Sequence, residues 1–238
     1  MTVQPSDVSF LQKGKGKDLV FLHGYLSSKE AFAAQIAYFS RFYRVTALDF
    51  LGFGKSKPLA DPFSVADYAA WTKSVFCLLG VERPHVIAHS FGCRVAVKMA
   101  SGDGNALDKI VLTGPAGVIM NRGLRYKCKV RAYRFVKRFA PRYAERKFGS
   151  AEYRSLSPMM KESYKKIVNE DLREYARQVQ NPVLIIEGEE DYTTPMREAR
   201  AYADCFPHCD LRTIAGGHFA FAENPALFNL IVEEFFYV

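Results

Sequence analysis

The stretch HVIAHSFGC, residues 85–93, decides the fold of this chain. A short apolar run ends at Ser90, and the segment that follows, FGCRVAVKMAS, has the composition of a helix. A serine at such a junction, flanked by small residues, is close to the G-x-S-x-G nucleophile elbow, whose strained turn lifts the hydroxyl above the sheet. Gly92 matches the motif, whereas Ala88 stands where glycine is usual. The pattern predicts a nucleophilic Ser90, with a helix-capping serine as the alternative.

Strand-like runs and helical segments alternate on both sides of this stretch. VSFLQ and DLVFL predict two short strands around a glycine turn, and Ser27 with Glu30 has capping-box spacing at the start of a helix. The alternation predicts a mostly parallel α/β sheet with helices on both faces, in which ligands bind beyond the carboxyl ends of the strands. Further predicted strands are residues 43–50, 84–90, 107–115, 181–188 and 209–217, and further helices are 64–80, 91–101, 195–206 and 224–236.

Two later strand ends carry side chains that can activate a serine. A serine hydroxyl needs a base, and the base needs an orienting acid. His218 follows the last predicted strand and two glycines, while Asp191 follows the strand VLIIEG. We predict His218 as the base and Asp191 as the acid, because a carboxylate on the loop can reach sideways towards the histidine. Three other carboxylates remain open for the acid: Glu189, Glu190 and Asp49.

Two backbone N–H groups are candidates for stabilising a developing oxyanion. The N–H of Phe91 lies in the free first turn of the predicted helix after Ser90. Gly24 follows the strand DLVFL and lets the chain turn closely, which exposes the N–H of Tyr25 as a second donor. We interpret His23 as a buried hydrogen-bonding residue that shapes this loop.

Five segments together resemble the α/β-hydrolase fold family over nearly the whole chain. They are HGY at 23–25, DFLGFGKS at 49–56, AHSFG at 88–92, GEEDYTTP at 188–195 and GGHF at 216–219. The order serine, aspartate, histidine also matches this family's triad order. A serine at the elbow argues against the dehalogenase and epoxide-hydrolase branches, which use aspartate there.

The resemblance implies a catalytic triad and an oxyanion hole. In it Ser90 is the nucleophile, His218 is the general base and then acid, and Asp191 orients the histidine. The N–H groups of Tyr25 and Phe91 are the oxyanion donors. It also implies that the helical insertion following VLTGP is a cap over the site.

The predicted insertion, residues 117–180, differs in charge from the rest of the chain. It holds 17 Lys or Arg and 6 Asp or Glu, a balance of +11, whereas the rest of the chain holds 16 and 19, a balance of −3, so all the excess positive charge lies in this segment. It has no strand-like run, and apolar residues recur at helical spacing within residues 124–140. We therefore divide the chain into a core, residues 1–116 and 181–238, and a basic helical cap.

The basic cap has three interpretations. We favour a solvated helical face; the alternatives are attraction of an anionic substrate and docking of an amphipathic helix on acidic membrane lipid. Nucleic acid is not an expected partner, because no recognised binding module is present.

Composition narrows the setting and the cofactors. The N-terminal residues MTVQPSDVSF lack the basic segment followed by an apolar one that is typical of a signal peptide. No run nears the roughly 18 apolar residues of a membrane span. The five cysteines lack the regular spacing of a disulfide framework. These features predict a cytoplasmic protein. GFG at 52–54 lacks the third glycine of a dinucleotide fingerprint, and Cys205, His208 and Cys209 lack zinc-site spacing, so we expect neither a cofactor nor a metal.

The sequence as a whole predicts a carboxylesterase-like serine hydrolase. The expected substrate is a small-molecule carboxylic ester of small to medium acyl size, with a thioester or lactone close behind. Phe53 and Phe219 are predicted to line the substrate pocket. The alternatives are a carbon–carbon bond hydrolase or lyase that uses the same triad, and a slow-turnover binding protein of the same fold.

Overall fold

The computed structural model describes residues 3–120, 131, 138 and 151–237. The amphipathic part of the predicted cap, residues 124–140, therefore lies outside the described residues except for Arg131 and Arg138. All of the predicted site residues lie within them.

A seven-stranded sheet is formed by the described residues, in the order β1-β3-β2-β4-β5-β6-β7. Only β1 is antiparallel to its neighbour, so the predicted mostly parallel α/β sheet is confirmed. The strands on either side of the first glycine turn do not pair with each other, because β1 pairs with β3. The strands are β1 Phe10–Lys13, β2 Asp18–Leu22, β3 Arg44–Leu48, β4 His85–His89, β5 Ile110–Thr113, β6 Val183–Gly188 and β7 Cys209–Ile214.

Helices cover both faces of this sheet. Because strand side chains alternate between faces, Val86 and Ala88 of β4 join one hydrophobic core while Ile87 joins the other. The described helices are α1 Ala33–Phe39, α2 Val65–Leu79, α3 Phe91–Gly102, α4 Ala151–Ser155, α5 Pro158–Val168, α6 Arg173–Ala176, α7 Met196–Ala203, α8 Ala220–Glu223 and α9 Pro225–Tyr237. Residues of α2 and α3 fill the first core, and residues of α1 and α9 fill the second.

The first helix starts later than its capping-box spacing predicts. Ser28, not Ser27, precedes a 3-10 turn at Lys29–Phe32, and α1 begins only at Ala33. The reason is long-range: the backbone N–H of Lys29 donates to Asp49 Oδ1 at 2.8 Å, which holds the chain against the loop after β3. A sequence pattern within the helix does not contain that contact.

The described part of the segment between β5 and β6 consists of short helices joined by irregular stretches. It contains α4, α5 and α6, and its described part contains no strand. Ser157 caps α5 by accepting from the Met160 N–H at 3.3 Å, and Pro158 occupies the first helical position. This segment runs from the carboxyl end of β5 to the amino end of β6, its parallel neighbour. It therefore leaves the sheet at the carboxyl edge, where the strand preceding Ser90 also ends.

Candidate active site

Ser90 lies in a strained turn between β4 and α3. Its backbone angles, φ 48° and ψ −104°, fall outside the regions that L-residues ordinarily adopt. The Ser90 N–H donates to the Thr113 carbonyl at 3.1 Å, which fixes the turn to β5. Strain of this kind persists only where the surroundings impose it, and it concentrates at functional sites.

Close packing explains the small residues beside Ser90. A Cβ on Gly92 would lie 2.2 Å from the backbone oxygen of Leu22, so only glycine fits there. Ala88 is completely buried, and its methyl group is part of the core on the α3 side of the sheet. The elbow therefore has a strict requirement at position 92 and tolerates one methyl at position 88.

His218 and Asp191 are joined by a hydrogen bond. The distance from His218 Nδ1 to Asp191 Oδ2 is 2.6 Å, and because the carboxylate accepts, Nδ1 carries a proton; in the neutral ring this leaves the lone pair on Nε2. Three further donors hold the carboxylate: the N–H groups of Thr193 at 2.7 Å and Thr194 at 2.9 Å, and the Thr194 hydroxyl at 2.9 Å. Burial raises the pKa of Asp191, but the hydrogen bonds from His218 and Thr194 outweigh burial and hold that pKa well below its usual range.

Among the described residues, Asp191 is bonded to His218, and none of the other three candidate carboxylates is. The side chains of Glu189 and Glu190 are exposed, and Asp49 is paired with Lys29 Nζ at 2.8 Å. Glu187, which sequence reasoning did not consider, is completely buried. Burial, together with the nearby charge of Asp191, raises the pKa of Glu187 to about 9, so it is uncharged at neutral pH.

His89 holds the loop of His218 in place. The distance from His89 Nε2 to the His218 carbonyl oxygen is 3.0 Å, and because a carbonyl can only accept, Nε2 is the donor. Burial and the adjacent His218 lower the pKa of His89 to about 3, so the ring is neutral. The sequence offered one signal for this role, the position of His89 directly before Ser90.

The loop after β2 is shaped by His23, as expected. His23 Nδ1 donates to the Gly24 carbonyl at 2.7 Å, and its Nε2 accepts from the Phe50 N–H at 3.0 Å. Burial lowers the pKa of His23 to about 4, in keeping with this neutral, doubly bonded ring. Within the described part of the chain, the N–H groups of Tyr25 and Phe91 donate no hydrogen bond to the protein, and both residues belong to the wall of one cavity.

A cavity of about 910 Å³ brings most of these residues together. Its wall includes Ser90, His218, Tyr25, Phe91, Phe219 and Arg94. Phe219 is 43% exposed, so it stands at an open part of the wall. The structure thus places Phe219 on the wall of this cavity, and its contact with a substrate stays a prediction.

The pocket prediction for Phe53 is corrected by the structure. Phe53 is 5% exposed and lies one layer behind the wall, with its ring centroid 4.9 Å from that of Tyr25 and 5.9 Å from that of Phe91. The direction of its side chain, set by the turn at residues 51–56, could not be read from the sequence. Phe53 supports the cavity wall from behind.

Neither a metal-binding cluster nor a membrane span occurs in the described residues. There, no three side chains of His, Cys, Asp or Glu lie close enough together to hold a metal ion. None of the helices in the described ranges has both the length and the apolar character needed to cross a membrane.

The strained serine, the histidine–aspartate pair and the two N–H groups without a bond in the described protein form an arrangement that can be compared with known proteins. Residues 18–164, more than half of the chain, match the family model described as alpha/beta hydrolase fold. The chain belongs to the α/β hydrolase fold family. Membership supports hydrolase activity for this α/β hydrolase and leaves the bond that it cleaves open.

Three similar proteins illustrate the range of the family. The probable lysophospholipase BODYGUARD 3 of Arabidopsis thaliana is 32% identical over 132 residues, which are 53% of this α/β hydrolase and 26% of that protein. The chain thus spans about a quarter of that relative. A meta-cleavage product hydrolase from Pseudomonas fluorescens IP01 has a TM-score of 0.76 at 22% identity, covering 97% of this chain and 94% of its own. The enol-lactonase from Burkholderia xenovorans LB400 has a TM-score of 0.77 at 20% identity, covering 97% and 96%.

Proposed function

We propose that this α/β hydrolase is a serine hydrolase that cleaves a carboxylic ester through an acyl-enzyme. The observation that carries the proposal is the 2.6 Å bond between His218 Nδ1 and Asp191, in a site whose cavity wall holds both His218 and the strained Ser90. A thioester or lactone would react by the same steps.

The first half-reaction transfers the acyl group to Ser90. His218 Nε2 takes the hydroxyl proton as Ser90 Oγ bonds to the carbonyl carbon, and Asp191 stabilises the imidazolium that forms. The N–H groups of Tyr25 and Phe91 receive the oxyanion. When the carbon–oxygen bond to the alcohol breaks, His218 returns its proton to the leaving oxygen.

The second half-reaction restores the enzyme. His218 takes a proton from water, whose oxygen attacks the acyl carbon, and the proton then passes to Ser90 Oγ as the acid product leaves. His218 thus acts first as a base and then as an acid in each half-reaction. The atoms and electrons balance with the ester, water and these residues alone.

The cavity supports a substrate of medium size. Its volume of about 910 Å³ is near the upper end of the range for small-molecule sites, roughly 300 to 1,000 Å³. We further propose that residues 117–180 form a cap over a core of residues 1–116 and 181–238, since this segment supplies much of the apolar wall. Its later part contributes the polar Asn169 and five apolar or aromatic lining residues: Tyr153, Leu156, Tyr164, Ile167 and Val168.

We propose that this protein is located in a reducing compartment, the cytoplasm. The four cysteines in the described residues, Cys77, Cys93, Cys205 and Cys209, are all free thiols. Secreted proteins of this size commonly oxidise such thiols to disulfides. Fractionation of the native host cells, with detection by antibody, tests this proposal.

Labelling with a fluorophosphonate probe tests the nucleophile. We expect rapid labelling of the wild-type protein, none of Ser90→Ala, and normal labelling of Ser101→Ala, a control on the same helix. Failure of the folded wild-type protein to react would overturn the serine hydrolase proposal. A panel of 4-nitrophenyl esters of increasing acyl length then measures the chain length that the cavity accepts.

Hydrolysis of a carbon–carbon bond is the second candidate. It is supported by the fold that this chain shares with the meta-cleavage product hydrolase from Pseudomonas fluorescens IP01, and by nothing finer than the fold. A vinylogous 1,5-diketone acid offered beside the aryl esters distinguishes the two. Turnover of the diketone acid with no turnover of any ester would replace the ester proposal.

A further inference from the structure

Arg94 is a buried cation on the wall of the candidate active site. It lies on α3, four residues after Ser90, or about 6 Å further along the helix axis. The residue belongs to the cavity wall and is only 6% exposed. Sequence reasoning did not single out this arginine.

Arg94 has no carboxylate partner among the residues that the structure describes. To the described residues, its side chain donates one hydrogen bond, from Nη1 to the backbone carbonyl of Glu170 at 2.8 Å. The two acids that act on it electrostatically are paired with other cations: Glu170 with Lys98 Nζ at 2.6 Å, and Asp171 with Arg173 Nη2 at 2.8 Å.

The two other ionisable neighbours of Arg94, Tyr202 and Cys93, do not supply a negative charge that would balance its guanidinium. Burial raises the pKa of both Tyr202 and Cys93 well above their ordinary values, so neither carries a negative charge at neutral pH. Burial also lowers the pKa of Arg94, but a guanidinium stays protonated in proteins. An unpaired buried charge is costly, and native proteins normally satisfy it with a partner or a ligand.

We propose that Arg94 binds an anionic oxygen group, a carboxylate or a phosphate, on the acyl part of the substrate. Arginine suits this task because its planar fork of five N–H donors matches the geometry of such groups, and only one donor is used within the described protein. Because Arg94 and Ser90 belong to the same elbow and helix, the anion lies beside the acyl group that Ser90 carries. The inference deepens the proposed ester hydrolysis and rests on it.

A purely structural role predicts different behaviour. In that case Arg94 would only tie α3 to the segment after α5 through the Glu170 carbonyl. Lys98 provides a matched control, since it lies on the same helix and contacts the same residue through Glu170 Oε1, but it is not part of the cavity wall.

The test compares two esters in three proteins. The esters are 4-nitrophenyl hydrogen adipate, which ends in a carboxylate, and its methyl-capped neutral counterpart; the proteins are wild type, Arg94→Met and Lys98→Met. We expect Arg94→Met to lower kcat/KM for the anionic ester by roughly 10- to 100-fold, mainly through KM, and to change the neutral ester by less than about threefold. Lys98→Met should keep the preference of the wild type. Equal losses on both esters in Arg94→Met, or an equal loss of preference in Lys98→Met, would overturn the proposal.

Direct binding separates this inference from the proposed function. Calorimetry with adipate and with butyl phosphate on the Ser90→Ala protein needs no turnover, and the tighter ligand identifies the preferred anion. Binding that disappears in Ser90→Ala/Arg94→Met supports the site even if no ester is hydrolysed. Absence of binding by both anions, with esters turned over normally, would reject the site and leave the hydrolase proposal standing. If Arg94→Met does not fold, Arg94→Lys keeps the charge and should retain only weak binding.

Discussion

His89 donates a hydrogen bond from Nε2 to the backbone carbonyl of His218 at 3.0 Å, so the residue before the candidate nucleophile anchors the loop of the candidate base. The two imidazole rings lie 4.7 Å apart between centroids. Two chain segments that are distant in sequence are thus fixed to each other within the site.

Replacing His89 by leucine should lower kcat on a 4-nitrophenyl ester by about 10-fold with little change in KM, because His218 loses part of its positioning. Since the pKa of His89 is lowered to about 3, its protonation does not contribute to the rate profile between pH 5 and 9 in the wild type. His208→Leu, at an exposed position, is the control. A full kcat in His89→Leu would show that the bond is dispensable for positioning.

Replacing Asp191 by asparagine should reduce kcat by roughly 10⁴-fold, because the amide no longer holds the proton on His218 Nδ1. Glu190→Gln changes an exposed carboxylate in the same loop and should leave the rate within about twofold. Steady-state kinetics on one ester measures both variants. Loss of activity in Glu190→Gln with survival in Asp191→Asn would move the acid to Glu190.

Replacing Gly92 by alanine should destabilise the fold by at least roughly 2 kcal/mol, since the new methyl group meets backbone atoms that cannot move independently. At Gly102, near the other end of α3, an added Cβ would meet no atom within 4 Å, so Gly102→Ala should be neutral or slightly stabilising. Thermal unfolding followed by circular dichroism compares the two. Similar melting temperatures for both variants would contradict the packing argument.

Replacing Glu187 by glutamine removes a pH-dependent loss of stability. The free energy of unfolding of Glu187→Gln, relative to that of the wild type, should therefore increase as the pH rises from 5 to 8. The carboxyl has an ordinary pKa of 4.5 when unfolded and about 9 when folded. Between these values the folded state binds more protons, so the stability of the wild type falls with pH, by up to about 1.4 kcal/mol per unit from this group. Urea unfolding at pH 5, 6.5 and 8 measures the difference, with exposed Glu189→Gln as control. A difference independent of pH would contradict the raised pKa.

The strands and the elbow could be predicted from the sequence because their signals are local. The apolar runs, the junction at Ser90 and the cap of α2 depend on residues within a few positions of each other. Ser64 caps α2 by accepting from the Asp67 N–H at 3.3 Å, and Gly80 ends it in the left-handed conformation, both within the predicted helix.

The remaining features depend on contacts between distant segments. The pairing of β1 with β3, the late start of α1 imposed by Asp49 and the place of Phe53 behind the wall are all of this kind. The pKa values of His89 and Glu187 follow from burial, which composition does not give. The sequence shows that Arg94 is a cation four residues after Ser90. It cannot show that the nearby acids Glu170 and Asp171 form ion pairs with other cations.

The topology has a consequence for folding. Ser90, Asp191 and His218 follow β4, β6 and β7, and the elbow is fixed to β5 by the bond from Ser90 N to the Thr113 oxygen. No contiguous fragment shorter than residues 90–218 holds all three, and such non-local contacts form slowly. The return of hydrolase activity during refolding would therefore report when the whole parallel sheet has formed, and it should lag behind the return of helical circular dichroism.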